Sequence, residues 1–309
     1  MKRVVRYGLI IVLLAAASFA ALYFVFPETL FTLATAAQRR GAGLTAKQVQ
    51  VDDHVIPYLE GGAGETVILL HGFADRKDTW TPLAWYVRGY HLVIPDVPGF
   101  GESSQVAADD YGIESQVARI HRFVEVLHLD RFHLAGNSMG GVLAATYAAR
   151  HPDKVSTLTL EDPAGAPSPH KSAFLTELEK GTNLLSPRNA GEFDRLVTML
   201  FVKAPPVPEQ FRKVLRDDLA AHREFNGKIW RDWQPERFSL EPVLALIQAP
   251  VLIVWGAQDQ ILDVGGVAFL EQRLKNHQTV IVSETGHTPH AEKPEAVGAA
   301  FVRFLKQRR

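Results

Sequence analysis

The chain has 309 residues, enough for one large domain with appendages. Its 33 Lys and Arg residues nearly balance its 34 Asp and Glu residues, so the charge gives no reason to expect a nucleic-acid partner. The absence of cysteine excludes disulfides, thiol catalysis and cysteine-bound metals.

An apolar segment opens the chain. Lys2, Arg3 and Arg6 precede an uncharged run from Tyr7 to Phe26, which as a helix would be about 30 Å long and would match the hydrocarbon core of a bilayer. Because the run is longer than the apolar part of a signal peptide, we predict a retained transmembrane anchor over residues 1–26. The basic cluster predicts a cytoplasmic N-terminus, with the rest of the chain on the periplasmic or extracytoplasmic side.

Small residues recur four positions apart in this segment, Ala16 with Ala20 and Ala17 with Ala21. Such pairs let two helices approach closely within a membrane, so a homodimer through the segment is one interpretation. Alanine is also a compact residue that suits any helix in lipid, and this simpler interpretation stays open.

A juxtamembrane helix and linker are predicted over residues 27–46. Pro27 to about Ala37 indicates a short helix opened by a proline in its first turn. Its apolar residues, such as Leu30 and Phe31, could lie on a membrane surface or pack on the domain that follows, and both interpretations stay open.

From Gln48 onward, short β-branched runs alternate with helical patterns, which is typical of a mostly parallel sheet flanked by helices. The predicted strands after an opening pair are too apolar to have a solvated face. The strands are Val49–Val51, His54–Tyr58, Val67–Leu70, His91–Ile94, Phe132–Ala135, Val155–Leu160, Val251–Trp255 and Val280–Val282. The helices are Ile113–Leu127, Gly140–Arg150 and Glu295–Lys306.

The alternation stops between Pro163 and about Leu246. Amphipathic helices are predicted there over residues 173–180, 190–202 and 209–224, and the strand pattern resumes at Pro250. We therefore interpret residues 163–246 as a helical cap inserted into a core formed by residues 47–162 and 247–309.

A Gly-Asn-Ser-Met-Gly sequence at residues 136–140 stands between the strand Phe132–Ala135 and a predicted helix. A sharp turn from strand to helix lifts the serine hydroxyl clear of the sheet, and the glycines remove side chains that would collide with backbone. The helix N-terminus favours negative charge that develops there. The pattern resembles the nucleophile elbow of the α/β-hydrolase family, and it makes Ser138 the predicted nucleophile.

The α/β-hydrolase fold places an acid and then a histidine later in the chain, in loops after strands. Asp259 lies four residues after Trp255, the usual spacing, and is the predicted acid. Asp162 is the alternative, since some lipases place the acid after an earlier strand. His287 follows a glycine just after the last predicted strand and is the predicted general base. We expect the competing His290 to pack or hydrogen-bond beneath it.

Two backbone N–H groups are needed to stabilise the negative oxygen that develops in acyl transfer. The family pattern takes one from the residue after the nucleophile, Met139, and one from the loop after residue 70, where we choose Phe73. We interpret His71 as holding this loop in shape and Asp96 as bracing a turn. No His-Glu-x-x-His pattern is present, so neither a metal nor another cofactor is predicted.

Three further stretches resemble a narrower group, the membrane-bound monoacylglycerol lipases and phospholipases A. They are Leu-His-Gly-Phe at residues 70–73, Phe-Asn-Gly-Lys-Ile-Trp at residues 225–230 and Leu-Glu-Pro at residues 240–242. The resemblance covers nearly the whole chain. It implies hydrolysis of glycerolipid acyl esters through an acyl-enzyme on Ser138, with a lipid or acyl ester as substrate, a bilayer as partner and cap helices that line an acyl pocket.

Other functions remain to be weighed. Carbon–carbon hydrolases of aromatic degradation share the elbow sequence but usually carry Ser-Gly-Pro where this chain has Phe-Ala-Asp at residues 73–75. A general carboxylesterase is a further alternative. A non-enzymatic scaffold on the same fold commonly lacks a triad member, whereas Ser138, Asp259 and His287 are all present here.

Overall fold

A single sheet of eight strands organises the part of the chain that the computed structural model describes, residues 2–234 and 238–307. Within the first helix, the side chains of residues 2–4, 15–16 and 19 lie outside the description. The strand order is β1-β2-β4-β3-β5-β6-β7-β8. The strands are Leu44–Val51 (β1), His54–Gly62 (β2), Thr66–Leu70 (β3), His91–Pro95 (β4), Phe132–Asn137 (β5), Val155–Glu161 (β6), Val251–Gly256 (β7) and His277–Val282 (β8).

The pairing from β4 to β8 is parallel throughout, and β2 runs antiparallel to both of its neighbours. The last residues of the central strands are in register: Leu70 lies opposite Gly136, and Asn137 lies opposite Glu161. The carboxyl ends of β3 and β5 to β8 therefore share one edge of the sheet, where open sheets of this kind assemble sites. The predicted mostly parallel α/β architecture is confirmed.

Both faces of the sheet are buried. Ile68 and Leu70 contribute to an apolar cluster on one face, and Val67 and Leu69 contribute to the cluster on the other. Successive side chains of a strand point to opposite faces, so a run of apolar residues is what a doubly covered strand requires. The helices that flank the sheet are Thr81–Ala84 (α3), Ile113–Val126 (α4), Met139–Arg150 (α5), Gly266–Glu271 (α11), Pro289–Glu292 (α12) and Pro294–Lys306 (α13).

Helices alone follow β6 until β7 in the described residues. They are Ala173–Glu179 (α6), Ala190–Leu200 (α7), Glu209–Ala221 (α8), Arg223–Trp233 (α9) and Glu241–Leu244 (α10). The single predicted helix over 209–224 is wrong in its end, because the helix stops at Ala221 and α9 begins at Arg223. His222 lies between them, and its Nδ1 is 2.8 Å from the carbonyl oxygen of Asp218. No glycine or proline marks this break, so the pattern gave no sign of it.

The first strand begins at Leu44, five residues before the predicted start of β1. Residues 45–48 are exposed, while Leu44 and Val51 at the two ends are buried. An edge strand with polar, solvent-facing residues lacks the apolar signal on which the prediction depended. The strand also overlaps the end of the linker predicted over residues 27–46.

The N-terminal segment forms the helices Lys2–Val25 (α1) and Pro27–Gly41 (α2). Among the described residues, none of the helices is both long and apolar enough to cross a membrane. The predicted transmembrane helix is therefore not supported.

Two predictions about this segment concern side chains that the structure does not describe: the basic residues Lys2 and Arg3, and the pair that Ala16 would form with Ala20. The other pair, Ala17 and Ala21, lies on α1 with both residues exposed.

The second helix packs on its own domain. The ring of Phe31 meets that of Phe211 on α8 edge to face, with 5.4 Å between the centroids. Near the other end of α2, the Arg39 guanidinium donates two hydrogen bonds to Asp78, at 2.6 and 2.7 Å. Of the two interpretations of this helix, packing on the domain is the one that these contacts support.

Candidate active site

The turn after β5 holds Ser138 in a strained conformation. Asn137 ends β5 and Met139 begins α5, so Ser138 alone makes the turn, with φ at 54°. This left-handed region is costly for a residue with a Cβ and is typical of functional positions. The turn also needs Gly136, because a Cβ there would lie 2.1 Å from the carbonyl oxygen of Gly140.

The loop after β3 approaches the same turn. A Cβ on Gly72 would lie 3.3 Å from the Cβ of Ser138, so only a glycine leaves ordinary space there. Phe73, the next residue, lines the same cavity as Ser138. Met139 is the first residue of α5, and an N–H in the first turn of a helix has no acceptor within the helix. The two predicted oxyanion donors thus come from separate elements, the loop after β3 and the start of α5.

The predicted acid and base are in direct contact. His287 Nδ1 lies 2.8 Å from Asp259 Oδ2, and both side chains are almost wholly shielded from solvent. The other oxygen of Asp259, Oδ1, accepts the N–H groups of Ile261 at 2.8 Å and of Leu262 at 3.0 Å. These backbone donors fix the carboxylate, which leaves Oδ2 directed at the imidazole.

The alternative acid, Asp162, is engaged elsewhere. Its Oδ1 accepts the N–H of Gly256 at 2.9 Å. Burial raises the pKa of Asp162 well above its ordinary value, and the nearby charges of Asp259 and Glu161 raise it further. The contact with His287 Nδ1 therefore favours Asp259 as the partner of the histidine.

His290 lies beneath this site in a buried pair that the sequence did not reveal. Its Nδ1 is 2.6 Å from Glu161 Oε1, and the same oxygen accepts the His290 backbone N–H at 2.9 Å. Its Nε2 is 3.1 Å from Thr79 Oγ1, and its ring stacks on Trp80 with 3.9 Å between the centroids. The expectation that His290 packs and hydrogen-bonds beneath His287 agrees with these contacts. A glutamate that ends an apolar strand was the available signal for Glu161.

Two residues interpreted as structural also have structural partners. The Nε2 atom of the buried His71 accepts the N–H of Val97 at 2.9 Å, which leaves Nδ1–H to donate to the carbonyl oxygen of Gly72 at 2.8 Å. Asp96 accepts hydrogen bonds from the backbone and side-chain nitrogens of Lys77, at 2.7 and 2.6 Å. Both residues stabilise loops at the carboxyl edge of the sheet.

The histidine loop is fixed by contacts from three directions. Asn137 Nδ2 donates to the carbonyl oxygen of His287 at 3.0 Å, and the His287 N–H donates to the carbonyl oxygen of Leu200 at 2.8 Å. Glu292 accepts the N–H of Gly286 at 2.8 Å. Sequence reasoning missed all three partners, because each lies on a different element of the chain.

A cavity of about 220 Å³ opens onto Ser138 and His287. Its other polar lining residues are Asp75, Arg76, Thr79, Asn137 and Thr288. The rest is mainly apolar and is contributed by the oxyanion loop and by α7 and α8 with their flanking residues: Phe73, Leu185, Phe193, Leu196, Val197, Leu200, Phe201, Leu215 and Leu219. A largely apolar chamber with a few polar groups suits a substrate with an apolar chain and one reactive polar group.

Asp162, Asp259 and His287 could in principle also hold a cation, since one ligand atom from each lies within 4.8 Å of the others. However, Asp259 Oδ2 and His287 Nδ1 already bind each other, and Asp259 Oδ1 accepts two backbone N–H groups. These contacts fit a hydrogen-bonded triad, which needs no metal.

The comparisons with known proteins agree with this geometry. The α/β-hydrolase fold family matches residues 65–294. Monoacylglycerol lipase abhd6-B of Xenopus laevis is 35% identical over 298 residues, which cover 92% of this chain and 88% of that protein. Lipase 1 of Psychrobacter immobilis is 33% identical over 239 residues, 76% of this chain and 75% of that lipase.

A solved structure extends the similarity to the N-terminus. The crystal structure of a membrane phospholipase A, described as a bacterial virulence factor, superposes with a TM-score of 0.90 at 39% identity, covering 100% of this chain and 99% of that one. The predicted resemblance to monoacylglycerol lipases and membrane phospholipases A is confirmed. These relatives are carboxylic ester hydrolases by name, as predicted, and the chain belongs to the α/β-hydrolase family.

Proposed function

We propose that the protein is a serine ester hydrolase that cleaves acyl esters of glycerolipids at a membrane through an acyl-enzyme on Ser138. The observation that carries the proposal is the Asp259–His287 hydrogen bond in the cavity onto which the strained Ser138 opens. The names of the relatives support the substrate class.

The proposed reaction has two steps. His287 takes the proton of Ser138 while the serine oxygen attacks the ester carbonyl, and the imidazolium then gives that proton to the departing alcohol. Water, deprotonated by His287, next cleaves the acyl-serine ester and releases the fatty acid. Asp259 keeps the histidine in the required tautomer, and the N–H groups of Phe73 and Met139 stabilise the negative oxygen of each tetrahedral intermediate.

We further propose that residues 163–246 act as a cap that holds the acyl chain. α7 and α8 contribute most of the apolar lining of the cavity, with Leu196 and Leu200 among the lining residues. Met199 on the same helix does not line the cavity, and it belongs to a buried cluster that also includes Leu196. Thus part of this apolar set faces the substrate space and part is core.

A substrate panel tests the proposal. Purified protein should hydrolyse p-nitrophenyl esters, monoacylglycerols and phospholipids, and Ser138→Ala should abolish each activity. Activity on short esters alone would point to a general carboxylesterase. Cleavage of a vinylogous diketone with no ester hydrolysis would favour a carbon–carbon hydrolase.

The attachment to a membrane is proposed on the basis of exposed apolar surface. Leu9, Ile11 and Leu14 on α1 are each about 60% exposed or more, and Phe24 near its end is 67% exposed. Apolar area of this size on a single helix is stabilised when lipid covers it. The catalytic groups and α2 lie downstream of α1, so α1 is the part to remove.

A chain that begins at Pro27 tests this attachment. It should hydrolyse soluble p-nitrophenyl butyrate at the full-length rate but should no longer sediment with vesicles, and it should act more slowly on vesicle lipid. A chain that begins at Leu44, which also loses the Arg39–Asp78 pair, is the comparison for damage to the fold. Equal loss on both substrates with a lowered melting temperature in the Pro27 chain would contradict the proposal.

Two further proposals come from the sequence: the side of the membrane on which the domain lies, and a homodimer formed through α1. Protease protection in intact cells tests the predicted extracytoplasmic side. Replacing Ala17 and Ala21 by leucine should weaken crosslinking of the full-length protein in membranes if α1 forms the proposed homodimer. Unchanged crosslinking would leave these alanines as ordinary helix residues.

A further inference from the structure

Asp162 is a buried carboxyl group that the proposed reaction does not use. It directly follows β6, it is fully shielded from solvent, and its φ of 42° lies in the left-handed region. It lies in the same small space as Asp259 and His287, since one ligand atom from each lies within 4.8 Å of the others. A strained, buried ionisable group beside reacting residues is a candidate for a functional role.

The two neighbouring carboxyl groups cannot both be ionised. Two anions this close in a buried site repel each other strongly, so one of them retains a proton. Asp259 receives three donors: two backbone N–H groups of its own loop on Oδ1, and His287 on Oδ2. Asp162 receives the Gly256 N–H on Oδ1, and no donor in the described part of the chain reaches its Oδ2. The negative charge therefore belongs on Asp259 and the proton on Asp162.

The direction of the hydrogen bond follows from this assignment. The two carboxyl groups lie close together, with one oxygen of each within 4.8 Å, and the raised pKa of Asp162, caused chiefly by burial, agrees with a neutral side chain. The neutral Asp162 has one O–H to donate, and the charged Asp259 can only accept. The other titratable groups nearby, Glu161 with His290 and the triad histidine itself, are already paired with partners of their own.

We propose that neutral Asp162 is a positioning residue that donates a hydrogen bond to Asp259 and thereby holds the carboxylate that orients His287. The inference rests on the proposed acyl transfer, because orientation of the histidine matters only if His287 is the base. A donor on Asp259 spreads its negative charge, so the carboxylate stabilises the imidazolium less than an unassisted carboxylate would. It also keeps Asp259 ionised while the imidazolium forms.

Three variants separate this role from a structural one. Asp162→Asn keeps a donor toward Asp259 and an acceptor for Gly256, and asparagine tolerates the left-handed backbone. Asp162→Gly removes the donor without backbone strain. Thr159→Val is the matched control, since Thr159 is buried on the same strand and its hydroxyl has no partner among the described residues. The measurements are kcat and the pH dependence of kcat/KM on a soluble p-nitrophenyl ester, with and without EDTA.

Asp162→Gly should lower kcat about tenfold to a hundredfold, the usual effect of losing a hydrogen bond to a charged group. It should also move the acidic limb of kcat/KM to higher pH, because a carboxylate without this donor stabilises the imidazolium more strongly. Asp162→Asn should keep most of the wild-type kcat and should have the acidic limb of kcat/KM at the wild-type pH. Thr159→Val should match the wild type in both measurements. EDTA should not change the activity of any of these proteins.

The inference is overturned if Asp162→Gly leaves kcat and the limb unchanged, or if Asp162→Asn loses as much activity as Asp162→Gly. Loss of wild-type activity in EDTA would assign the three groups to a cation instead, and would also overturn it. A wild-type protein without esterase activity, or a Ser138→Ala protein that retains it, would instead show that the proposed function has failed.

Discussion

The carboxyl edge of the sheet and the helices between β6 and β7 are built in contrasting ways. At the sheet edge, polar side chains are buried and held by several hydrogen bonds each, as Asp259 is by two N–H groups and His287. In the helices the charged side chains form pairs near the surface, such as Arg188 with Glu192 at 2.6 Å, and apolar side chains face the cavity. Under the proposed function, this contrast divides the roles: the edge of the sheet carries out the chemistry, and the helices select the acyl chain.

Removal of the nucleophile should have the largest effect, and it tests whether the chemistry lies at the sheet edge. Ser138→Ala should lower kcat by about 10⁴-fold or more on every ester, because no other group forms the acyl-enzyme. The melting temperature should stay near the wild-type value, since alanine keeps the Cβ and the substitution removes only the hydroxyl. Substantial residual activity on any ester would place the chemistry elsewhere.

The acid at the sheet edge gives the next largest effect. Asp259→Asn should lower kcat by about 10⁴-fold, because an amide donates to Nδ1 and leaves the histidine in the wrong tautomer. Asp162→Asn, a change of the same chemistry only one contact away, is the matched control and should retain most of its activity. An active Asp259→Asn protein beside an inactive Asp162→Asn protein would exchange the two roles.

The sheet edge was largely predictable from sequence because its signals are local. A serine between glycines, placed between a strand and a helix, indicates the elbow without knowledge of the fold. The strands were recognisable because a strand covered on both faces must be apolar. The edge strand β1 was truncated in the prediction, since its exposed residues 45–48 lack that pattern.

The network around the triad was not predictable, because its partners are far apart in the chain and leave no local signal. Glu161 and His290 are 129 positions apart in the chain, and Asn137 and His287 are 150 apart. Pairs of this kind are created by the register of the sheet, and no periodicity in the chain records them. The helix break at His222 likewise has no glycine or proline to announce it.

The helical side of the comparison is sharpened by a substitution in the cavity wall. Leu219→Asn on α8 should raise KM for a long-chain p-nitrophenyl ester about tenfold, since burying a leucine side chain contributes about 1.5–3 kcal/mol. The kcat for the butyrate ester should change by less than about threefold, because the triad is untouched.

Leu175→Asn is the matched control, since Leu175 is 39% exposed on α6 and does not line the cavity. It should leave both kinetic constants at the wild-type level. Equal effects of Leu219→Asn on short and long esters would mean that α8 supports the fold of the site and does not select the chain.

The smallest expected effect concerns stability at the sheet edge. The pKa of Asp162 is raised by burial, and also by Asp259 and Glu161, so its folded-state pKa exceeds the unfolded value of about 3.9. The stability that the protonated group contributes is fully present below about pH 4 and is lost as the pH rises through the folded-state pKa. Asparagine cannot ionise, so Asp162→Asn does not lose stability in this way as the pH rises.

The melting temperature of Asp162→Asn relative to the wild type should therefore increase from pH 5 to pH 9, by about 3 °C. Glu161, Asp259, His287 and His290 are the other titratable groups around this position, and they are unchanged in both proteins. A difference that stays constant across this pH range would contradict a protonated Asp162.

The acyl-enzyme on Ser138 is the central claim, and mass spectrometry of the intact protein tests it most directly. Wild-type protein mixed with a long-chain p-nitrophenyl ester and quenched in acid should gain the mass of one acyl group, on the peptide that contains Ser138. The Ser138→Ala protein should gain none. Rapid turnover by the wild type with no adduct under conditions that trap acyl-enzymes, or an adduct on another residue, would contradict the account.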